Sequence, residues 1–115
     1  MKLNNIKEER NVMKNNKYIK ELQDKLIDYC SNIKKIYLIS LKVDNLGEVK
    51  SFKLGLIVDD NVKSTSELAG QLYFDVDCEL PFDLVIYTEG EFNSLKGDIG
   101  TFAWKIENSG TVLYG

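Results

Sequence analysis

Two apolar runs joined by a short segment with a turn signal do most to limit what this chain can fold into. The first, Lys35 to Val43, carries Ile36, Tyr37, Leu38, Ile39, Leu41 and Val43. Its β-branched and aromatic residues leave little polarity on either face, which predicts a central strand covered on both sides. The second runs from about Lys50 to Asp59. Alternate residues of a strand share a face, so Phe52, Leu54, Leu56 and Val58 point one way and Lys53, Gly55 and Ile57 the other. Between the runs, Asp44-Asn45-Leu46-Gly47 is a turn signal. So short a connection makes the two strands an antiparallel hairpin.

The flanking segments supply helices. Ile19, Leu22, Leu26, Cys30 and Ile33 recur at helical spacing, with Lys20, Glu21, Asp24, Lys25 and Asp28 between them. This predicts an amphipathic helix over about 15–31, ending near Ser31-Asn32, whose apolar stripe packs on the sheet. Ser64-Thr65-Ser66-Glu67 reads as a capping box, with Ser64 as N-cap, opening a helix through Leu68, Ala69, Leu72 and Tyr73 to about Phe74. Phe82 to Tyr87 is a third strand. Thr88-Glu89-Gly90-Glu91 is a second capping box, and its short helix stops at Gly97. A last helix is expected over about Ile99 to Asn108, with Phe102, Ala103 and Ile106 inward and Gly110 as its C′ residue. Thr111 to Tyr114 adds a short edge strand. The order α-β-β-α-β-α-α-β predicts an α/β (α+β) fold, a mixed sheet of three to four strands packed with helices.

The chain has 115 residues, enough for one domain and one core. Residues 14–115 read as that domain. Residues 1–13 read as a disordered or non-native extension, because Met13-Lys14-Asn15-Asn16 echoes Met1-Lys2-Leu3-Asn4-Asn5. A purine-rich codon run for Glu8-Glu9-Arg10 would also resemble a bacterial ribosome-binding site ahead of a start at Met13.

Apolar residues make up 43% and charged residues 29%, ordinary values for a globular protein. The formal charge of −3, from 15 basic and 18 acidic residues, speaks against a nucleic-acid partner. No apolar run approaches the roughly 20 residues of a membrane helix, and the start lacks the apolar stretch of a signal peptide. Cys30 and Cys78 are too few for a disulfide framework and read as thiols in a reducing cytoplasm. With no His in the chain, zinc centres and Ser–His or Cys–His nucleophiles are set aside.

The C-terminal third carries a resemblance. Pro81-Phe82-Asp83-Leu84-Val85-Ile86-Tyr87, Thr88-Glu89-Gly90-Glu91-Phe92 and Ile106-Glu107-Asn108-Ser109-Gly110-Thr111-Val112-Leu113-Tyr114-Gly115 resemble the end of the minimal nucleotidyltransferase-like domains of the DNA polymerase beta-like superfamily. Over about 34–115 the order of elements is similar too. The resemblance implies a Gly-Ser pair after the first strand to hold the triphosphate on backbone N–H groups. It implies an Asp-x-Asp on the second strand and a third Asp on its neighbour, together holding two Mg²⁺ ions. Carried onto this chain, the Gly-Ser pair falls on Ser40 and Leu41, the Asp-x-Asp on Lys53 and Gly55, and the third Asp on Asp83. One carboxylate of three remains, and an ammonium stands where a dication would sit. Asp83 is expected to pair with Lys53 across neighbouring strands or to make a capping contact. Asp59, Asp60, Asp75, Asp77 and Glu79 read as solvated loop acids. Trp104 and Tyr114 read as aromatics that pack the core or cover the sheet edge, and Lys34-Lys35 as a solvated junction.

The resemblance therefore implies a degenerate member with no resident cofactor, a binding or regulatory pseudoenzyme. Its partner would be a helical protein, as in toxin–antitoxin-type pairs, or a second copy of the chain. An alternative is a metal-independent sensor in which Lys53 contacts a nucleotide or another anion. A third reading is an active nucleotidyltransferase, the one case in which Mg²⁺ enters.

Overall fold

The computed structural model describes residues 15–115, so the expected extension 1–13 lies outside the described residues. Helix α1 (Lys17–Tyr29) starts where Asn16 accepts from the backbone N–H groups of Tyr18 at 2.9 Å and Ile19 at 3.4 Å. It ends with Cys30 as C-cap, two residues earlier than the periodicity suggests. Ile33, expected on the helical stripe, instead opens strand β1 (Ile33–Val43). Ile19, Leu22 and Leu26 are buried as expected.

Strand β2 (Val49–Val58) pairs antiparallel with β1. Asp44 shapes the turn between them: its side chain accepts from Leu46 N at 2.9 Å and Glu48 N at 3.0 Å. Gly47 takes φ +82°, a left-handed conformation that few residues other than glycine adopt easily. Helix α2 (Thr65–Asp75) begins at N-cap Ser64, whose hydroxyl accepts from Glu67 N at 3.1 Å. It carries the chain over to β3 (Phe82–Thr88), which lies parallel to β2 and so requires such a crossover. The Thr88–Glu91 capping box is closed in both directions and opens α3 (Glu89–Leu95). Helix α4 (Phe102–Ser109) and β4 (Thr111–Tyr114) follow. Helix α4 begins at N-cap Thr101, so Ile99 precedes it and is 77% exposed. Gly110 caps it in an extended conformation, φ −70° and ψ 148°, not the left-handed one expected of a C′ glycine.

The strands form one mixed sheet in the order β3-β2-β1-β4, with β1 antiparallel to both β2 and β4. This is the expected α+β architecture in the expected element order. One face is covered by α1 and α2, where Leu22, Leu26, Leu68 and Leu72 pack on Leu38, Leu54, Leu56 and Val58. The opposite face carries a smaller core in which Phe92, Ala103 and Ile106 of α3 and α4 meet Tyr37, Ile39 and Ile57. Burial of this kind contributes about 25 cal/mol per Å² of apolar surface.

Candidate functional site

A break in the β1–β2 register sets up the candidate site. Leu38 pairs with Leu54 but Ser40 with Lys53, so β1 fits one extra residue into the ladder. Such a bulge shifts the alternation of faces. Ile39 packs in the smaller core, and Leu41 packs under the larger one although it lies three residues after the inward-facing Leu38. Ser40 is left level with Lys53, and Lys53 is in turn the parallel partner of Asp83. Ser40, Lys53 and Asp83 thus form one row across β1, β2 and β3. The next β1–β2 pair on this face is Lys42 with Ser51.

Three of the five expected positions come together in that row. Ser40 and Leu41, the positions on which the phosphate loop of the resemblance falls, lie inside β1, which continues to Val43. Both are register partners of β2, whereas a triphosphate cradle lies at a turn or helix start, where successive N–H groups converge on one anion. Leu41 also departs from the row, on the other face of the sheet.

Lys53 and Asp83 stand side by side without the expected ion pair. Among the described residues the ion pair formed is Lys50 with Asp44, at 3.4 Å. The Lys53 ammonium instead lies 4.7 Å from the Phe102 ring centroid, over the first residue of α4. A cation is attracted to the electron-rich face of an aromatic ring. Phe102, expected inward, is 41% exposed and serves as this platform. The sequence carries no sign of it, because an aromatic sharing a helical stripe with Ala103 and Ile106 reads as a core residue.

Gly55 is fixed by packing. A Cβ placed on it would sit 2.8 Å from Ile106 Cδ1 and 3.2 Å from Ile39 Cδ1. Helix α4 therefore rests on the sheet at the point where the resemblance calls for a carboxylate. Gly110 plays a similar part, since its Cβ would come within 2.7 Å of the Ile106 carbonyl oxygen and 3.2 Å of Tyr37 Cδ2.

Several of the acids read as solvated have assigned partners. Asp59 accepts from Asn32 Nδ2 with both carboxylate oxygens, at 3.0 and 2.9 Å, and from Asn61 N at 3.0 Å. Asp60 reaches the first turn of α3 and accepts from Gly90 N at 2.9 Å. Asp75 accepts from the Tyr29 hydroxyl, and that hydrogen bond, with desolvation second, raises the phenol above its ordinary value of 10.0. Among the described residues no three His, Cys, Asp or Glu side chains are grouped to hold a metal ion.

Two depressions flank the row's face without including it. One of about 390 Å³ runs along α4 between Gly100, Phe102, Trp104, Lys105 and Ser109. Trp104 is half-buried there. A smaller one of about 130 Å³ has Tyr37, Ile57 and Phe92 among its walls and Lys34, Lys35 and Lys96 among its cations. Tyr114 lies on β4, the outer strand beside β1. Cys30 and Cys78 are free thiols. No helix among the described residues is long and apolar enough to cross a membrane.

No protein-family model matches the chain, and neither the curated proteins nor the solved structures include a match.

Proposed function

We propose that this chain is a nucleotidyltransferase-like domain that works by binding and not by metal-dependent nucleotidyl transfer. The observation that carries this reading is the seating of Ile106 on Gly55 beside the row Ser40–Lys53–Asp83. A two-metal site requires several hard oxygen ligands converging on each ion. Here one position is filled by packing, a second bears an ammonium, and Asp83 is the single carboxylate of the row. The exposed aromatic surface on the last turn of α2, where Phe74 is 87% exposed, supports a protein partner, helical or a second copy of the chain. The free thiols support a cytoplasmic location.

A second reading is favoured by the chemistry of the same face. Ser40, Lys42, Ser51 and Lys53 offer hydroxyl and ammonium donors in two adjacent cross-strand pairs, a composition suited to an anion held without metal.

Thermal unfolding with a panel of nucleoside triphosphates, each with Mg²⁺ and with chelator, separates the readings. A ligand of the native state raises Tm by mass action. The binding-protein reading expects no Mg²⁺-dependent shift, and the anion reading expects a shift that chelator leaves intact and Lys53→Ala removes. A rise in Tm that requires Mg²⁺ would overturn both.

A further inference from the structure

Strand β3 is an outer strand of the sheet, and its backbone orientation follows from one hydrogen bond. Phe52 N donates to Pro81 O at 3.3 Å. In a parallel ladder this turns the odd-numbered residues of β3 toward β2 and leaves Phe82, Leu84, Ile86 and Thr88 with N–H and C=O directed outward. Such an edge is a template for another strand. The usual defences are thin here: Phe82 to Thr88 contains one charged residue, Asp83, and pairs with β2 without a register shift.

Two of the outward donors are nevertheless occupied by side chains of the same chain. The Tyr73 hydroxyl accepts from Leu84 N at 2.6 Å. Glu91 Oε1 accepts from Thr88 N at 3.0 Å. Tyr73 is held in place by its ring, which stacks on Phe82 with centroids 5.5 Å apart. The Ile86 N–H lies between these two plugs. An added strand exchanges donors and acceptors alternately, so filling Leu84 N and Thr88 N removes the donors on either side of Ile86.

We propose that Tyr73 and Glu91 are edge guards that keep β3 from pairing with the β3 of a second copy of this chain. The strand is suited to that pairing. A two-fold antiparallel arrangement sets Leu84 opposite Ile86 of the other copy, Phe82 opposite Thr88, and Asp83 opposite Tyr87, so no like charges meet. It also continues the apolar face formed by Phe82, Leu84 and Ile86, which pack against the larger core. The guards block it because Leu84 N and Thr88 N are two of the four outward donors this ladder uses, one in each kind of cross-strand pair. The device does not depend on the reading of the Ser40–Lys53–Asp83 row.

The test is sedimentation velocity with residue-resolved amide exchange on Tyr73→Phe, Glu91→Ala and the double variant. Tyr73→Phe retains the ring that stacks on Phe82, so the fold is preserved even if loss of the capping box weakens the others. The double variant is expected to dimerise at least tenfold more tightly than the parent, with the Leu84 and Ile86 amides protected in the dimer. Glu91→Gln, whose amide oxygen still accepts, is expected to behave as the parent. Tyr73→Phe and the double variant remaining monomeric, or dimers in which the Leu84 and Ile86 amides exchange freely, would overturn the proposal.

Discussion

Lys53 and Asp83 are direct partners in the β2–β3 ladder, yet the Lys53 ammonium sits on the Phe102 ring and not on the Asp83 carboxylate. Opposite charges on neighbouring strands ordinarily attract, but an exposed pair gains little once side-chain ordering is counted. The Phe102 platform offers a face attraction and lets the lysine stem cover apolar surface. A double-mutant cycle over Lys53 and Phe102 should return a coupling of about 0.5–1 kcal/mol. The cycle over Lys53 and Asp83 should stay within a few tenths. Denaturant unfolding of the single and double alanine variants measures both, and a larger coupling to Asp83 would show the row to be ion-paired.

Gly55 gives the sharpest stability prediction. Gly55→Ala puts a methyl group against the Ile106 and Ile39 side chains, and overpacking of this kind costs about 1–3 kcal/mol. Gly55→Asp adds a buried carboxylate without a partner and should cost more than the alanine variant. Combining it with Lys53→Asp puts acids at all three positions where the resemblance calls for them but leaves α4 seated on the sheet. The double variant is therefore expected to lose stability and to gain no Mg²⁺-dependent rise in Tm. Should Mg²⁺ stabilise it, α4 is mobile enough to clear the site.

The hairpin, both faces of β2 and the order of all eight elements were legible because they rest on alternation and turn residues, which are local. Element ends were less so. Ile33 continues the helical spacing of Ile19, Leu22 and Leu26, yet the chain has already turned at Cys30 and Ile33 belongs to β1. Ile99 is apolar enough to read as helical, but the N-cap that sets the start of α4 is Thr101, whose hydroxyl accepts from Trp104 N at 3.0 Å. The candidate site was legible only as positions. That Ser40, Lys53 and Asp83 stand level follows from a bulge at Ile39–Ser40 that no residue type announces. That Gly55 makes room for Ile106 is a contact across about fifty residues, and only the fold reveals it.

Asp44 makes the hairpin turn sensitive to acid. Its carboxyl is held below the ordinary 3.8, mainly by the hydrogen bond from Glu48 N, with Leu46 N and the Lys50 ammonium adding to it. A carboxyl with a depressed folded value stabilises the fold above its unfolded value, and that contribution is lost as pH falls through the folded one. The hairpin should therefore loosen below pH 3.8, and Asp44→Asn, which keeps an acceptor oxygen but has no charge to lose, should flatten that part of the profile. Amide chemical shifts of Leu46 and Glu48 followed against pH report it. Unchanged acid dependence in the asparagine variant would assign the effect to another carboxyl.

Thr111 is the place where the core tolerates a substitution to its benefit. It opens β4 opposite Leu38, is 6% exposed, and its hydroxyl has no hydrogen-bond partner among the described residues. A buried hydroxyl that has lost its water without gaining a partner is a cost to the folded state. Valine has nearly the same shape and the β-branching that suits a strand, and it carries no group to satisfy. Thr111→Val is therefore expected to stabilise the protein by about 1 kcal/mol, read as a higher denaturant midpoint at unchanged slope. Thr111→Ser keeps the hydroxyl and removes the methyl, so it should destabilise by a comparable amount through lost packing. If valine lowered the midpoint instead, the Thr111 hydroxyl would have to be paired in solution.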